Sequence, residues 1–305
     1  ILLARRVGAD VILAGSGLTA PIACMAARIS GARAFTYVHG YDLAAPHPVY
    51  RTVWSPFFRR LDGLIVNSRA TRTLALGIGV PAARIHLIHP GVTLPDLDPR
   101  AGEQFRDQYG LDDRPLMLSV GRLTRRKGLV PFVRDVLPLV VSAEPTVCLL
   151  IVGDVPRGAL AAHAVSPSVI LKAARAAGVA ENVRWLGFFP PGKRLTAAFS
   201  AADVHVFPTQ SRPHDPEGFG MVAVEAAAHG VPTVAYAAGG VVDAVADGVS
   251  GRLVAEGDHE AFAQAILAYL RQRGAYAKEC RRFAEGFTWT LFGEKMRRVL
   301  LANNN

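Results

Sequence analysis

The sequence predicts an α/β protein built as two doubly wound, parallel-sheet domains in tandem. Two observations carry this. Short β-branched or Leu-rich runs alternate with Ala-rich helical stretches along almost the whole chain, as βαβ units require. The alternation breaks once, over the Pro- and Asp-rich residues 90–99, which read as an interdomain linker. Length agrees: 305 residues suffice for two cores of ordinary size. The expected division is 1–95, then 96–285, with 286–305 a C-terminal helix returning toward the first domain.

In the first domain, strands are expected over residues 10–14, 34–38 and 63–67, with helices near 18–29, 49–61 and 68–77. The second domain should carry strands over 116–120, 147–152, 183–186, 204–207 and 233–235, with helices between them. The tail from 258 to 301 is helical in pattern throughout. One short helix reads clearly: residues 221–228 are compact and apolar, Gly230 stops them, and Pro232 prevents resumption.

Composition narrows the class. The chain is 50% hydrophobic and 19% charged, as a globular protein is. Its apolar runs are strand-length and broken by Gly, Pro or charge, so no transmembrane helix is expected. No signal peptide is legible, and the start at Ile1, without a methionine and in mid-pattern, reads as a fragment or a processed start. Cys24, Cys148 and Cys280 are odd in number and widely spaced, which favours buried free thiols in a reducing, cytoplasmic compartment. Residues 1–95 hold ten basic and three acidic side chains, so +7 of the net +9 sits there. Arg51, Arg59 and Arg60 surround Val53-Trp-Ser-Pro-Phe-Phe58, a mixture that fits the anionic face of a membrane, and equally a solvated Arg-rich face. No recognition motif accompanies the charge, so nucleic acid is not expected as a partner.

The segment richest in chemistry is Glu217-Gly-Phe-Gly-Met-Val-Ala-Val-Glu225. Two carboxylates flank a glycine turn at the mouth of the short helix, with Glu217 outside it and Glu225 about two turns in. An acid inside an apolar helix is costly without a partner. A hydroxyl-rich ligand across the helix mouth would be such a partner, since a carboxylate accepts paired bonds from vicinal hydroxyls. Backbone N–H groups of Phe219, Gly220 and Met221 would face an anion or sugar oxygen there. Doubly wound sheets bind ligands beyond the carboxyl ends of their strands, where Arg122, Asp154 and Glu217 are all expected. Arg122 and Lys127 follow the strand that ends at Val120-Gly121. Basic residues at a helix start oppose its dipole, which favours a ligand as the reason for them. Arg125 and Arg126 are expected to face solvent or to be secondary.

These motifs together resemble the retaining glycosyltransferases of family 4, which have the GT-B fold of two Rossmann-like domains with an interdomain cleft. The resemblance rests on E-x7-E followed by Ala-x3-Gly-x-Pro-x-Val-Ala-x3-Gly-Gly, and on Ser119-Val-Gly-Arg-Leu-Thr-Arg-Arg-Lys-Gly128. Leu149-Leu-Ile-Val-Gly-Asp154, Val183-Arg-Trp-Leu-Gly187, Ala202-Asp-Val-His-Val-Phe-Pro208 and Tyr37-Val-His-Gly-Tyr-Asp42 fall in the family's order. The resemblance implies transfer of a sugar from a nucleotide-diphosphate sugar, GDP-mannose or a UDP-sugar, to a carbohydrate or glycolipid acceptor, with retention. It implies a donor-binding second domain and an acceptor-binding, partial first domain that lacks the family's N-terminal glycine-rich βαβ unit. Arg122 and Lys127 would hold the diphosphate, Glu225 the ribose, and Glu217 with Gly218, Phe219, Gly220 and Met221 the sugar. Gly121 and Gly153 would line the donor loops, and His39 would act at the anomeric carbon. No metal or other cofactor is implied. Asp42 either orients the site or caps the turn at Tyr41. His39-Gly-Tyr-Asp and the basic first domain look most like phosphatidylinositol mannosyltransferase-type members, acting peripherally at a membrane.

Three further patterns are weaker. Gly15-Ser-Gly-Leu-Thr-Ala20 matches a dinucleotide fingerprint and suggests a nicotinamide-dependent oxidoreductase, but the next strand ends in Tyr37-Val38-His39 rather than an acid. Asp96-Leu-Asp98 has a metal-binding form but lies between two prolines. Gly153-Asp-Val-Pro156 carries Val155 where the family usually has a second glycine, and the segment on to residue 186 is long. A noncatalytic nucleotide-sugar-binding protein is the remaining alternative.

Overall fold

The computed structural model describes residues 2–98, 100–156 and 163–302. Pro99 of the expected linker, residues 157–162 in the segment before 186, and residues 303–305 of the expected C-terminal helix lie outside the described residues. The chain divides into two compact units. One comprises the residues up to Gly91, Ser211–Phe219, and those from Trp289 on; the other comprises Val92–Gln210 and Gly220–Thr288. Residues 211–219 were expected in the second domain, and they cluster instead with the first unit.

The first unit is built on four parallel strands in sequential order: β1 (Val11–Ala14), β2 (Arg33–Val38), β3 (Gly63–Val66) and β4 (Ile85–Leu87). On one face, Ala34, Val38, Leu64 and Val66 pack with Ala20 and Ala27 of helix Ala20–Ser30 and with Phe58 and Leu61. On the other, Tyr37, Ile65 and Ile88 pack with Met296 of helix Trp289–Leu301. Alternate residues of β2 and β3 thus serve opposite faces, as a strand's period of two dictates. Arg33 holds the end of the last helix, donating to the Leu300 and Ala302 carbonyls at 2.6 Å each, a favourable place for a cation.

The second unit carries six parallel strands: β5 (Leu116–Val120), β6 (Cys148–Val152), β7 (Val183–Gly187), β8 (Val204–Phe207), β9 (Thr233–Tyr236) and β10 (Gly251–Val254). Their order is β10-β9-β8-β5-β6-β7, so the winding reverses between β5 and β8. Leu116, Leu118, Cys148, Leu150 and Val152 face one core with Phe199 and Ala226, while Met117, Leu149, Ile151, Val204 and Val206 face the other with Phe132 and Phe262. Both faces are covered, which explains why these strands read as continuous apolar runs. Strands β4 and β10, at sheet edges, were not anticipated: Ile-His-Leu and Gly-Arg-Leu-Val are too short and too mixed to show a period. All three cysteines are unbridged; Cys148 and Cys280 are buried, but Cys24 is only half-buried. Among the described residues no helix is long and apolar enough to cross a membrane.

Candidate active site

In the second unit, the reversal between β5 and β8 places two loops side by side at the strands' carboxyl ends, where such sheets bind ligands. The loop after β5 carries Gly121, Arg122 and a tight turn, Arg125–Lys127. Glycines let these loops touch. A Cβ on Gly153 would lie 1.8 Å from the Gly121 carbonyl oxygen, and one on Gly128 would lie 1.9 Å from that of Pro208. Both also have positive φ, +154° and +69°, so only glycine fits on either count. Backbone bonds complete the crossing: Gly121 N–H donates to Val152 O at 2.9 Å, and Leu123 N–H to Asp154 O at 3.0 Å. Val155, where a glycine is usual, donates its N–H to Asp154 Oδ1 at 2.7 Å, so the Asp154 side chain stabilises the turn.

The cations sit on this frame. Arg122 is exposed, while Lys127 is half-buried with its ammonium 4.4 Å from the Phe207 ring centroid at the end of β8, a cation–π contact that fixes its position. Arg122, Lys127, Gly121, Ser119, Ile151 and Phe207 line one small cavity. Arg126, expected to face solvent or to be secondary, is only 7% exposed, and its carbonyl accepts the Gln210 N–H at 2.9 Å. The turn points its middle residue inward, a geometry that a run of three basic residues does not disclose.

Helix Met221–Ala228 follows Gly220, whose φ of +97° starts it. Glu225 therefore stands just over one turn in, not two. It is half-buried; burial pushes its carboxyl above the usual range, and the Lys127 charge opposes the shift. Lys127 and Glu225 thus feel each other within one unit, which places the acid of the apolar helix in the field of the loop cation. Met221 is 37% exposed and Gly220 is buried. The sequence reading missed His205, fully buried on β8, with Nδ1 3.1 Å from Thr233 Oγ1. Burial, and then Lys127, push its pKa down to about 3, so it is a neutral packing residue.

In the first unit, His39 follows β2 and is exposed. Its Nε2 lies 3.2 Å from the Gly15 carbonyl after β1; a carbonyl only accepts, so Nε2 carries a proton and donates. Asp42 ties the two loops together. Its Oδ2 accepts the His39 N–H at 2.8 Å and its Oδ1 the Gly17 N–H at 3.1 Å. The bond to His39, three residues back, closes the turn ahead of Tyr41, and the bond to Gly17 joins that turn to the loop after β1. The glycine-rich Gly15–Ala20 stretch is thus a turn closed onto Asp42: a Cβ on Gly17 would meet Asp42 Cβ at 2.7 Å.

The segment Ser211–Phe219 lies against the same strand ends. A Cβ on Gly218 would be 2.2 Å from the His39 carbonyl oxygen and 2.9 Å from Asn67 Nδ2. Phe219 is buried and stacks on His89, ring centroids 5.1 Å apart, and His89 Nδ1 is 2.9 Å from the Asn67 carbonyl. Half-buried Glu217 precedes them. The expected site residues therefore gather in two sets. His39, Glu217, Gly218 and Phe219 belong to the first unit; Gly121, Arg122, Lys127, Gly153, Gly220, Met221 and Glu225 belong to the second. Asp98 is a local cap, its carboxylate accepting the Arg100 N–H at 2.9 Å ahead of helix Ala101–Gln108. Among the described residues no group of three His, Cys, Asp or Glu is placed to hold a metal ion.

Two parallel-sheet units of this topology, with cations at the β5–β8 reversal and an acid on the following helix, define a glycosyltransferase of the GT-B fold. Residues 114–272 match the family described as "Glycosyl transferases group 1", and residues 1–95 match "Glycosyltransferase Family 4". The chain belongs to glycosyltransferase family 4. It is 32% identical to a GDP-mannose-dependent alpha-(1-6)-phosphatidylinositol monomannoside mannosyltransferase of Mycolicibacterium smegmatis, over 95% of this chain and 76% of that protein. It is 35% identical to a D-inositol 3-phosphate glycosyltransferase of Mycobacterium marinum, over 85% of this chain and 53% of that protein. The chain thus spans about half the length of this second relative. In fold it resembles Anabaena Alr3699/HepE in complex with UDP, with a TM-score of 0.83 and 22% identity over 98% of this chain and 80% of that one. Sucrose-phosphate synthase from Thermosynechococcus elongatus gives a TM-score of 0.75 at 24% identity, over 98% of this chain and 74% of that one.

Proposed function

We propose that the chain transfers a hexose from a nucleotide-diphosphate sugar, GDP-mannose first among candidates, to a hydroxyl of an inositol-based glycolipid or polyol acceptor, with retention. The observation that supports this best is the pairing of cation and acid in the second unit, Lys127 lowering the carboxyl that burial raises on Glu225. A nucleotide sugar matches both ends: cations for the diphosphate, a carboxylate for ribose hydroxyls. Arg122 and Lys127 stabilise the charge that grows on the departing diphosphate, so no metal is needed for that step. Glu217 and the backbone of Gly218 to Met221 bind the sugar. His39 offers Nδ1 to it and supports positive charge at the anomeric carbon. The acceptor oxygen attacks on the face the diphosphate leaves; its bond to the anomeric carbon forms as the glycosidic C–O bond breaks, and the leaving phosphate oxygen takes the acceptor proton. The relatives named above support the choice of donor and acceptor class. Work at the cytoplasmic face of a membrane fits the basic first 95 residues and the exposure of Val49 and Val53 beside Arg51.

A thermal-shift and calorimetry panel of GDP-, UDP- and ADP-sugars tests the reading, run with and without a chelator. The expected result is stabilisation by one nucleotide series, unaffected by chelation and lost in Lys127→Ala with Glu225→Gln. Silence across the panel overturns it.

A further inference from the structure

The segment Ser211–Phe219 carries Glu217 and folds with the first unit, where a buried polar relay lies beneath it. The relay begins at helix Arg69–Gly77, whose first turn is capped by Ser68: its Oγ accepts the Thr71 N–H at 3.0 Å. The Ser68 hydroxyl donates to Thr71 Oγ1 at 3.1 Å, and the Thr71 hydroxyl donates to Asn67 Oδ1 at 2.7 Å. Asn67, Ser68 and Thr71 are all buried, where a bond once broken is not replaced by water. Asn67 is thus fixed by its side chain, and its backbone carbonyl lies 2.9 Å from His89 Nδ1. A carbonyl only accepts, so Nδ1 carries a proton and donates, which holds the half-buried ring at one edge.

The face of that ring is the seat of Phe219. The two rings stack at an interplanar angle of 22°, and Phe219 is buried. Gly218, next in line, rests on backbone and on the relay together, through the His39 carbonyl and Asn67 Nδ2. From the loop after β2, Gly40 passes under the same stretch with a φ of +95°. A Cβ there would lie 3.2 Å from Gly218 Cα and 3.6 Å from Pro216 Cγ. The far end of the segment is pinned as well, with His214 Nδ1 3.3 Å from the Ala44 carbonyl. His214 keeps a left-handed backbone, φ +63°, which a residue other than glycine holds only where its surroundings impose it. Glu217 therefore stands between fixed neighbours, Pro216 and Gly218, with the stacked pair directly after them.

We propose that His89, held by Asn67, is a positioning residue for the Glu217 carboxylate: by seating Phe219 it sets where that acid meets the sugar. This deepens the functional reading above and rests on Glu217 being a sugar-binding acid.

Three measurements on the whole chain test it. Hydrogen exchange read by mass spectrometry should quicken about tenfold over Ser211–Phe219 in His89→Ala, with β3 unchanged. GDP release from GDP-mannose, with phosphatidylinositol vesicles as acceptor, should fall about 10- to 100-fold in kcat. The Michaelis constant for GDP-mannose and the Kd for GDP should hardly move. His89→Phe keeps a ring on Phe219 and loses the donor, so it should recover part of both losses. Because His89 acts through Glu217, its substitution should cost far less kcat in a Glu217→Gln background. Unchanged exchange over Ser211–Phe219 overturns the proposal, as does faster exchange spread evenly over the first unit. Losses in kcat that simply add in the double variant overturn it too. A wild type that binds no nucleotide and releases no GDP counts against the functional reading instead, and the exchange arm then decides by itself whether His89 seats the segment.

Discussion

The two units fix their strand-end loops by different means. In the second unit, backbone crosses backbone: Gly153 lies over Gly121, and Gly128 lies over Pro208, at distances no side chain permits. In the first, a carboxylate does the joining, with Asp42 accepting from Gly17 and His39. On the function proposed above, the difference matches what each unit would hold. A diphosphate needs converging cations and close backbone approach, so loops there are stripped of Cβ atoms and Lys127 is seated on Phe207. On the same proposal the first unit presents the His39 imidazole to the donor sugar, and the Asp42 carboxylate keeps the His39 backbone in one place. The Gly218 contact with the His39 carbonyl is the exception, a glycine crossing inside the carboxylate-tied unit.

The largest effects should come from adding a methyl group at these crossings. Gly153→Ala and Gly128→Ala each impose a clash on backbone and a positive φ, costing on the order of 3 kcal/mol or more if the loop does not open. Nucleotide affinity by calorimetry should collapse in both, with melting temperature falling less, since the loops rather than the sheet give way. Gly218→Ala should instead spare nucleotide affinity and suppress transfer, because its methyl would meet the His39 carbonyl. Equal loss of nucleotide binding in all three would erase the distinction between the units.

Next in size is the loop cation. Lys127→Ala should lower turnover by about 10²–10³, as removal of one preorganised charge partner does, with a smaller change in the Michaelis constant. Arg122→Ala should act in the same direction and more weakly, since Arg122 is exposed while Lys127 is held on an aromatic ring. If Arg126→Ala matches Lys127→Ala in turnover without lowering the melting temperature, the buried middle residue of the turn has been misassigned.

Asp42 tests the other side of the comparison. Asp42→Asn retains one acceptor oxygen and loses the second bond and the charge, a loss of about 1–2 kcal/mol. Turnover should fall about tenfold while nucleotide binding is untouched, and Asp42→Glu should not restore it, because the carboxylate would be displaced from two N–H groups at once.

How much of this the sequence disclosed follows the same division. The second unit's site was legible because its parts are contiguous and of telling type: a strand, a glycine, then Arg122 and Lys127 within seven residues from Gly121, and an acid in an apolar helix. The fold was legible because strands buried on both faces read as unbroken apolar runs, and only the short edges β4 and β10 escaped. The inward turn of Arg126 was not legible, because burial of one basic residue among three is decided by tertiary contact. Nor was the membership of residues 211–219 in the first unit, since nothing local marks a segment that leaves one domain for another. Gly15–Ala20 looked like a dinucleotide loop because a turn closed on an aspartate and a turn closed on a phosphate use the same glycines.

The smallest effect is a pH dependence peculiar to the second unit. Burial raises the Glu225 carboxyl above its value in the unfolded chain, and Lys127 only partly offsets this. The sign follows from proton linkage. Below the ordinary glutamate range the group is protonated in both states and its neutral form is tolerated. As pH rises through the raised native value, the folded protein must carry a desolvated charge, and stability is lost. Ribose hydroxyls need that same charge as an acceptor, so nucleotide binding should strengthen over the window in which the unliganded protein weakens. Melting curves over a pH series that starts below the ordinary glutamate range and rises to neutrality, with and without a saturating nucleoside diphosphate, should therefore diverge as pH rises. Glu225→Gln should flatten both trends, leaving an unliganded protein no less stable at high pH and a ligand-induced shift that no longer depends on pH. A ligand shift that grows with pH equally in Glu225→Gln would remove the ribose-binding role from this carboxylate.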